Sequence, residues 1–346
     1  MILNMADPLA ALRHLPRLRL AHLPTVLEPM PRLGALLGIA ALHIKRDDCT
    51  GLGLGGNKIR KLEFNLAAAR DAGADVIVCG GVVQSNAARQ VAASCAKLGL
   101  ECHLGIMHGR LAATEPGYEH TGNILLDRLH GAVIHDIPWD EDRNRRLRAI
   151  ADDLTAAGRR VYFVPYGASD ALGAMGYALA AEEIVRDLPD VAWIVHASGS
   201  AGTQAGLLAG LLAMDHPARV VGVDVDAQPA RVRADVCRVG REAAAMLGCA
   251  AQWDDSLVEV LGRWSGPAYG VADATTEEAI RLAAQLEGLV LDPVYSGKGM
   301  AGLIGLAREG HFAPGEPVLW IHTGGAPGIF AYPETMARAS KQLRPA

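Results

Sequence analysis

A parallel-rich α/β fold is predicted by three features of the sequence. Short Val- and Ile-rich runs recur along it, helical segments of about 10–18 residues separate them, and glycine-rich or small polar loops stand where a strand gives way to a helix. At roughly 150 residues per domain, the 346 residues allow about two domains.

Composition narrows the class further. Half of the residues are hydrophobic (50%) and 21% are charged, as in a globular protein with a sizeable core. Thirty-three Lys and Arg stand against 38 Asp and Glu, a formal charge of −5 with the signs mixed, which speaks against nucleic acid as a partner. The N-terminal stretch is broken by Pro8, Arg13, His14, Pro16, Arg17 and Arg19, so it holds no continuous signal-peptide core. No apolar stretch approaches the roughly 20 residues of a membrane span. A cytoplasmic protein with no membrane partner is the expectation. Six scattered cysteines (Cys49, Cys79, Cys95, Cys102, Cys237 and Cys249), none in a C-x-x-C pair, read as reduced, buried thiols. The histidines form no compact ligand pattern, so no metal is expected.

Taken in order, a strand near 42–48 leads through glycines into NKIRKLEFNLAAARDAG, a helix with Ile59, Leu62, Leu66 and Ala69 on one face. ADVIVCGG (74–81) is an apolar strand, and SNAARQVAASCAKLG (85–99) a helix stopped by Gly99. ECHLGIM, a helix around NILLDRLH, AVIHDI, a polar helix near 140–158 and RVYFVPYG continue the alternation, as do AWIVHASGS, TQAGLLAGLLAM, RVVGVDVD and PVLWIHTGG. In such sheets ligands collect beyond the carboxyl ends of the strands.

Four loops there carry chemistry. Gly51, Gly53 and Gly56 formally match G-x-G-x-x-G, with Asp71 and Asp75 about 20 residues on, but Arg46, Asp47, Asp48 and Cys49 separate them from the strand where a dinucleotide site needs a tight turn. Lys58 follows at a helix start, where backbone dipoles disfavour the ammonium form and help make a nucleophilic amine; the plainer reading is a solvated surface lysine. Ser85 and Asn86 open the next helix, either as an anion pocket for a carboxylate or as an ordinary cap. In HASGSAGTQAGL, Gly199 and Gly202 permit close approach while Ser198, Ser200 and Thr203 offer hydroxyls, which suits a phosphate without the Gly-Lys-Ser/Thr ending of a triphosphate loop. Tyr295 and Ser296 precede a small-residue helix, and Thr323, Gly324 and Gly325 end a buried strand.

The runs KRDDCTGLGLGGNKIRKLEF, QSNAARQVAA, SGSAGTQAGL, LDPVYSGKGM and IHTGGAPGIFAY, in that order between about Leu23 and Tyr332, resemble the D-cysteine desulfhydrase and 1-aminocyclopropane-1-carboxylate (ACC) deaminase family. The resemblance implies pyridoxal 5′-phosphate and its fold type II, like the tryptophan synthase β chain. It further implies a larger cofactor-binding domain from residues 1–55 plus 165–346, a smaller α/β domain of 56–164, and a homodimer. Lys58 would be the Schiff-base lysine and Lys61 would reach the phosphate, cradled by Ser200, Ala201, Gly202 and Thr203. Asn86 would bond the ring hydroxyl oxygen, Ser296 would face the ring nitrogen, and Thr323 and Gly324 would border the cofactor. Ser85, with Gln84, Asn86 and Ala87, would hold the substrate, and Tyr295 and Tyr269 would stand near its reacting carbons.

The implied activity is a lyase that acts on a small β-substituted amino acid, first D-cysteine, giving pyruvate, sulfide and ammonia. The alternatives are L-cysteate sulfo-lyase, then ACC deaminase, then a non-catalytic cofactor- or amino-acid-binding protein. Family ACC deaminases place a glutamate where this sequence has Ser296, which ranks elimination above cyclopropane opening. Ala87 replaces a larger polar family residue and enlarges the pocket wall.

Overall fold

Apolar strands with both faces covered need helices on either side, and the computed structural model, which describes residues 9–340, has that layering. Its first strands are β1 (Leu27–Pro29), β2 (Leu42–Lys45), β3 (Val76–Val82), β4 (Glu101–His108), β5 (Val133–Pro138) and β6 (Val161–Phe163). β7 (Trp193–Ser198), β8 (Arg219–Asp224), β9 (Glu259–Leu261) and β10 (Val318–Ile321) follow. One sheet has the order β1-β2-β10-β7-β8-β9 and the other β5-β4-β3-β6. Pairing is parallel throughout, as in Val76 opposite Glu101 and Trp320 opposite Val195, except that β1 runs antiparallel to β2. Pro29 is tolerated there because β1 is an edge strand.

The helices are α1 (Ala10–Arg13), α2 (Pro31–Leu37), α3 (Lys58–Asp71), α4 (Asn86–Leu98), α5 (Gly122–Leu129) and α6 (Arg145–Ala156) in the first half. α7 (Ala171–Asp187), α8 (Gly202–Ala213), α9 (Pro229–Met246), α10 (Ala274–Glu287), α11 (Ser296–Arg308) and α12 (Pro333–Ala339) complete them. α4 stops where a left-handed Gly99 caps it, φ 69°. α6 starts later than its sequence suggests, because Asp140 accepts from Asp142 N and Arg145 Nε and so holds the preceding loop in a turn. The cysteines are unpaired, and five are buried, but Cys49 is exposed, contrary to expectation, in the short turn after β2. No helix among the described residues is long and apolar enough to cross a membrane. Residues 1–8 and 341–346, the ends of the larger expected domain and the start of the N-terminal stretch read above, lie outside the described residues.

α3 carries Lys58, and its position is set by charge as much as by its apolar face. Ile59, Leu62, Leu66 and Ala69 are fully buried, as their spacing predicts. So is Arg60, whose guanidinium takes both oxygens of Asp47 and both of Glu183, each at 2.9 Å, and also donates to Thr25 Oγ1 at 2.9 Å. Lys45 Nζ adds Glu183 at 2.9 Å and the Thr25 carbonyl at 2.7 Å, and Tyr177 OH donates to Asp47 at 2.6 Å. Gly176 of α7 lets the helices close up, since a Cβ there would fall 2.3 Å from the Arg60 carbonyl oxygen. The network therefore ties α3 to α7 and to the turn after β2.

Removing one partner of a buried ion pair strands the others, at a cost of about 3–5 kcal/mol. Arg60→Met is expected to lower the midpoint of urea unfolding accordingly; an unchanged midpoint would show that the network does not hold α3.

Candidate active site

The carboxyl ends of β3, β5, β6, β7, β8 and β10 converge on one cleft of about 670 Å³, open solvent included. Its wall contains Lys58, Ser85, Asn86, Ala87, Ser200, Ala201, Thr203, Tyr269, Tyr295 and Thr323 from the sequence-based set.

Lys58 is the first residue of α3, and the glycine loop before it serves packing rather than a nucleotide. Arg89 of α4 donates to the carbonyl oxygens of Gly53 and, at 2.9 Å, Gly55. Gln90 Oε1 accepts from Ile59 N at 3.0 Å, and Asn57 N donates to the Thr323 carbonyl at 3.0 Å. The loop lies against α4, separated from β2 by a short 3-10 turn, so the strand-to-helix turn of a dinucleotide site is not formed. Gly324 is required at the end of β10: its φ is 102° and a Cβ would sit 2.8 Å from Gly56 Cα. Lys58 remains partly open to the cleft, while burial pulls its amine down to about 8. Desolvation, not the helix dipole proposed from sequence, is the cause.

At the opposite wall, α8 begins after Ala201, whose φ of 71° turns the chain so that the helix N-terminus faces the cleft. Lys61 is not in the wall but lies just behind it, fully buried. Its Nζ donates to Ser169 Oγ at 3.1 Å, which in turn bonds Ser200 Oγ at 3.0 Å and accepts from Gly202 N at 3.2 Å. A Cβ on Gly202 would lie 3.0 Å from Lys61 Nζ. Asn57 Nδ2 fixes Thr203 Oγ1 at 3.0 Å.

Ser85 caps α4, its Oγ accepting from Ala88 N at 3.2 Å, while also lining the cleft. The two sequence readings thus coexist in one residue. The buried Asn86 Oδ1 has no partner among the described residues. Tyr269 and Tyr295 share a hydrogen bond between their hydroxyls, and burial pushes both far above the usual phenol value, so both stay protonated.

Two expected residues point elsewhere. Gln84 spends its amide on the structure, donating to the Tyr118 and Thr121 carbonyls at 2.6 and 2.9 Å and accepting from Asn123 N at 2.9 Å. Ser296 Oγ donates to Asp292 Oδ1 at 2.5 Å and accepts from Asp292 N at 2.8 Å; it is fully buried and outside the cleft wall. Conversely, Asn57, Arg143, Tyr166 and Asp226 line the cleft and were not singled out from sequence. Asp226 and Tyr166 could have been found from their positions just past strand ends. Nothing in the charged 140–146 run marks Arg143.

This arrangement can hold a phosphorylated carbonyl compound between an amine of lowered basicity and a helix N-terminus. The model of the pyridoxal-phosphate dependent enzyme family matches residues 18–324. The chain is similar to D-cysteine desulfhydrase of Salmonella typhi, 42% identical over 333 residues that cover 94% of this chain and 98% of the relative. It is also similar to the crystal structure of an ACC deaminase homologue, at a TM-score of 0.86 and 35% identity, covering 96% of this chain and 98% of that one. Threonine deaminase isoform 2 of Solanum lycopersicum shares the fold alone, with a TM-score of 0.66 at 16% identity over 96% of this chain and 87% of that one.

An amine titrating near 8 is mostly neutral only above that pH. Capture of pyridoxal 5′-phosphate by the apo-protein, followed by its absorbance, is expected to accelerate with pH and level off just above 8; acceleration continuing to pH 10.5, the ordinary lysine value, would contradict a desolvated Lys58.

Proposed function

We propose, because the chain belongs to the pyridoxal-phosphate dependent enzyme family, that it eliminates the β-substituent of a small amino acid, D-cysteine being the first substrate to test. The residues present fit the cofactor. Asn86 Oδ1, buried and unpartnered, marks a side chain free to bond the ring hydroxyl. Ser200, Ala201, Gly202 and Thr203 at the start of α8 would take the phosphate with Lys61 behind them, a role the Gly202 spacing supports. Lys58 would carry the aldehyde carbon, and Thr323 and Gly324 would border the ring. Once bound, the cofactor supplies an electron sink for the substrate α-carbon.

The remaining work falls to the chain. The start of α4, with Ser85 and Asn86, binds the substrate carboxylate. Lys58 Nζ takes the α-proton, and burial makes it a competent base near neutral pH. The Tyr295–Tyr269 pair, kept protonated by burial, spends one O–H on the bond between them and presents the other toward the departing substituent. Ala87, with its short side chain, leaves room in the wall beside them. Asp226 is the one carboxylate lining the cleft among the described residues, and two arginines hold it. Position 296 offers a hydroxyl and not a carboxylate, so among the described residues lining the cleft no free carboxylate is at hand to charge the ring nitrogen, which supports elimination over opening of an unactivated cyclopropane.

The observation that carries this reading is the desolvated Lys58 amine in one cleft with the start of α8. The proposal extends to a homodimer: Leu125, Leu129 and Phe330 are 52%, 74% and 69% exposed on neighbouring segments, a patch suited to a second copy. It extends also to a cytoplasmic location, with which the unpaired thiols agree.

With D-cysteine and water as reactants, the holoenzyme is expected to release pyruvate, sulfide and ammonia in equal amounts, and Lys58→Ala to lower kcat by at least about 10²-fold. Faster formation of 2-oxobutyrate from ACC than of pyruvate from any β-substituted alanine would refute the elimination reading.

A further inference from the structure

Behind the tyrosine pair lies a buried charge cluster for which the mechanism above has no use. Asp226, two residues past β8, accepts from Arg110 Nη2 at 2.8 Å through one oxygen and from Arg143 Nη2 through the other. Arg143 also donates to the Gly199 carbonyl at 3.3 Å. The Arg110 guanidinium lies against Tyr269, 3.8 Å from the ring centroid, and against Trp139 at 4.2 Å; that of Arg143 lies 5.0 Å from the Tyr166 centroid.

Two cations thus share one anion in a desolvated place. Each arginine keeps a buried N–H without a partner among the described residues, Nη1 of Arg110 and Nε of Arg143. An unmet buried donor on a charged group is costly unless something bound completes it. Arg143 is 7% exposed and lines the same cleft as Lys58 and Tyr295, as well as a neighbouring cavity with Asp142 and Arg231, so a molecule in the cleft can reach it.

We propose that Arg143, oriented by Asp226 and backed by Arg110, forms the subsite for a substrate β-substituent that carries negative charge, a sulfonate or similar oxyanion. This rests on the elimination reading. The phosphate of the cofactor would be the other anion in the cleft, and Arg143 does reach the Gly199 carbonyl beside Ser200; but Lys61, Ser200 and Thr203 would take the phosphate, whereas the two guanidiniums stand among the aromatic rings of Tyr166, Tyr269 and Trp139. In the step itself the α-proton goes to Lys58 Nζ, and the electron pair it leaves at Cα forms the Cα–Cβ double bond as the Cβ–S bond breaks, both electrons of that bond leaving on sulfite, so no oxidant is needed. Arg143 faces negative charge both before and after the bond breaks.

The test compares substrates with and without that charge. In the holoenzyme, the ratio of kcat/KM for cysteate, read as sulfite, to that for cysteine, read as sulfide, is expected to fall at least about tenfold in Arg143→Gln and to recover in part in Arg143→Lys. Aspartate and alanine, titrated calorimetrically, report the subsite without turnover: the wild type should bind aspartate more tightly, and Arg143→Gln should erase the difference. Wild-type indifference between aspartate and alanine overturns the subsite by itself. So does a substrate ratio unchanged within twofold, or an Arg143→Gln protein that loses cofactor absorbance yet keeps its aspartate preference, since the arginine would then serve the phosphate. Absence of pyruvate from every β-substituted alanine, with the aspartate preference intact and sensitive to Arg143→Gln, would instead remove the elimination reading and leave the anion subsite standing.

Discussion

The buried guanidinium of Arg60 is the constraint on which the rest depends. Two residues after Lys58 on the same helix, it faces away from the cleft and is held by carboxylates from the turn after β2 and from α7. A lysine with a flexible four-carbon stem has a defined place only if its Cα does. Here the Cα is fixed from one side by Asp47 and Glu183, and from the other by Gln90 and the Thr323 carbonyl next to Asn57. Charge pairing out of sight of the substrate thus positions a group whose value lies in having no charge partner.

Desolvation then acts on two residue types in opposite senses. It brings the Lys58 amine down to about 8 and drives the Tyr269 and Tyr295 phenols up, so the cleft holds an amine far less basic than an ordinary lysine beside two protonated hydroxyls. Burial is the first cause of both, and at the two phenols the neighbouring Tyr166 adds to it. Glu183 shows the contrary case, kept down at about 2 by Arg60 and Lys45 despite its burial.

Much of this was legible in the sequence because period and punctuation are local. The α3 face of Ile59, Leu62, Leu66 and Ala69, the Gly99 stop and the strand-end loops at Ser85, Ser200 and Thr323 were readable from spacing alone. β1 and β9, three residues each, are too short to show a period. Gln84 and Ser296 had the right residue types beside the right motifs, but local backbone groups and Asp292 claim their polar atoms, which spacing does not reveal. Arg143, Arg110 and Asp226 come from three separated segments and meet only in the folded chain.

Four helix starts border the cleft, those of α3, α4, α8 and α11, and they are not equivalent. Those of α4 and α8 face it, whereas at α11 one carboxylate, Asp292, takes the backbone N–H groups of Val294, Tyr295 and Ser296 and the Ser296 hydroxyl besides. With that berth closed, a small zwitterion bound as proposed would have one mooring for its carboxylate and one wall for its tail. Which way round a compact, nearly featureless molecule docks would then be decided by a plug that lies outside the cleft wall.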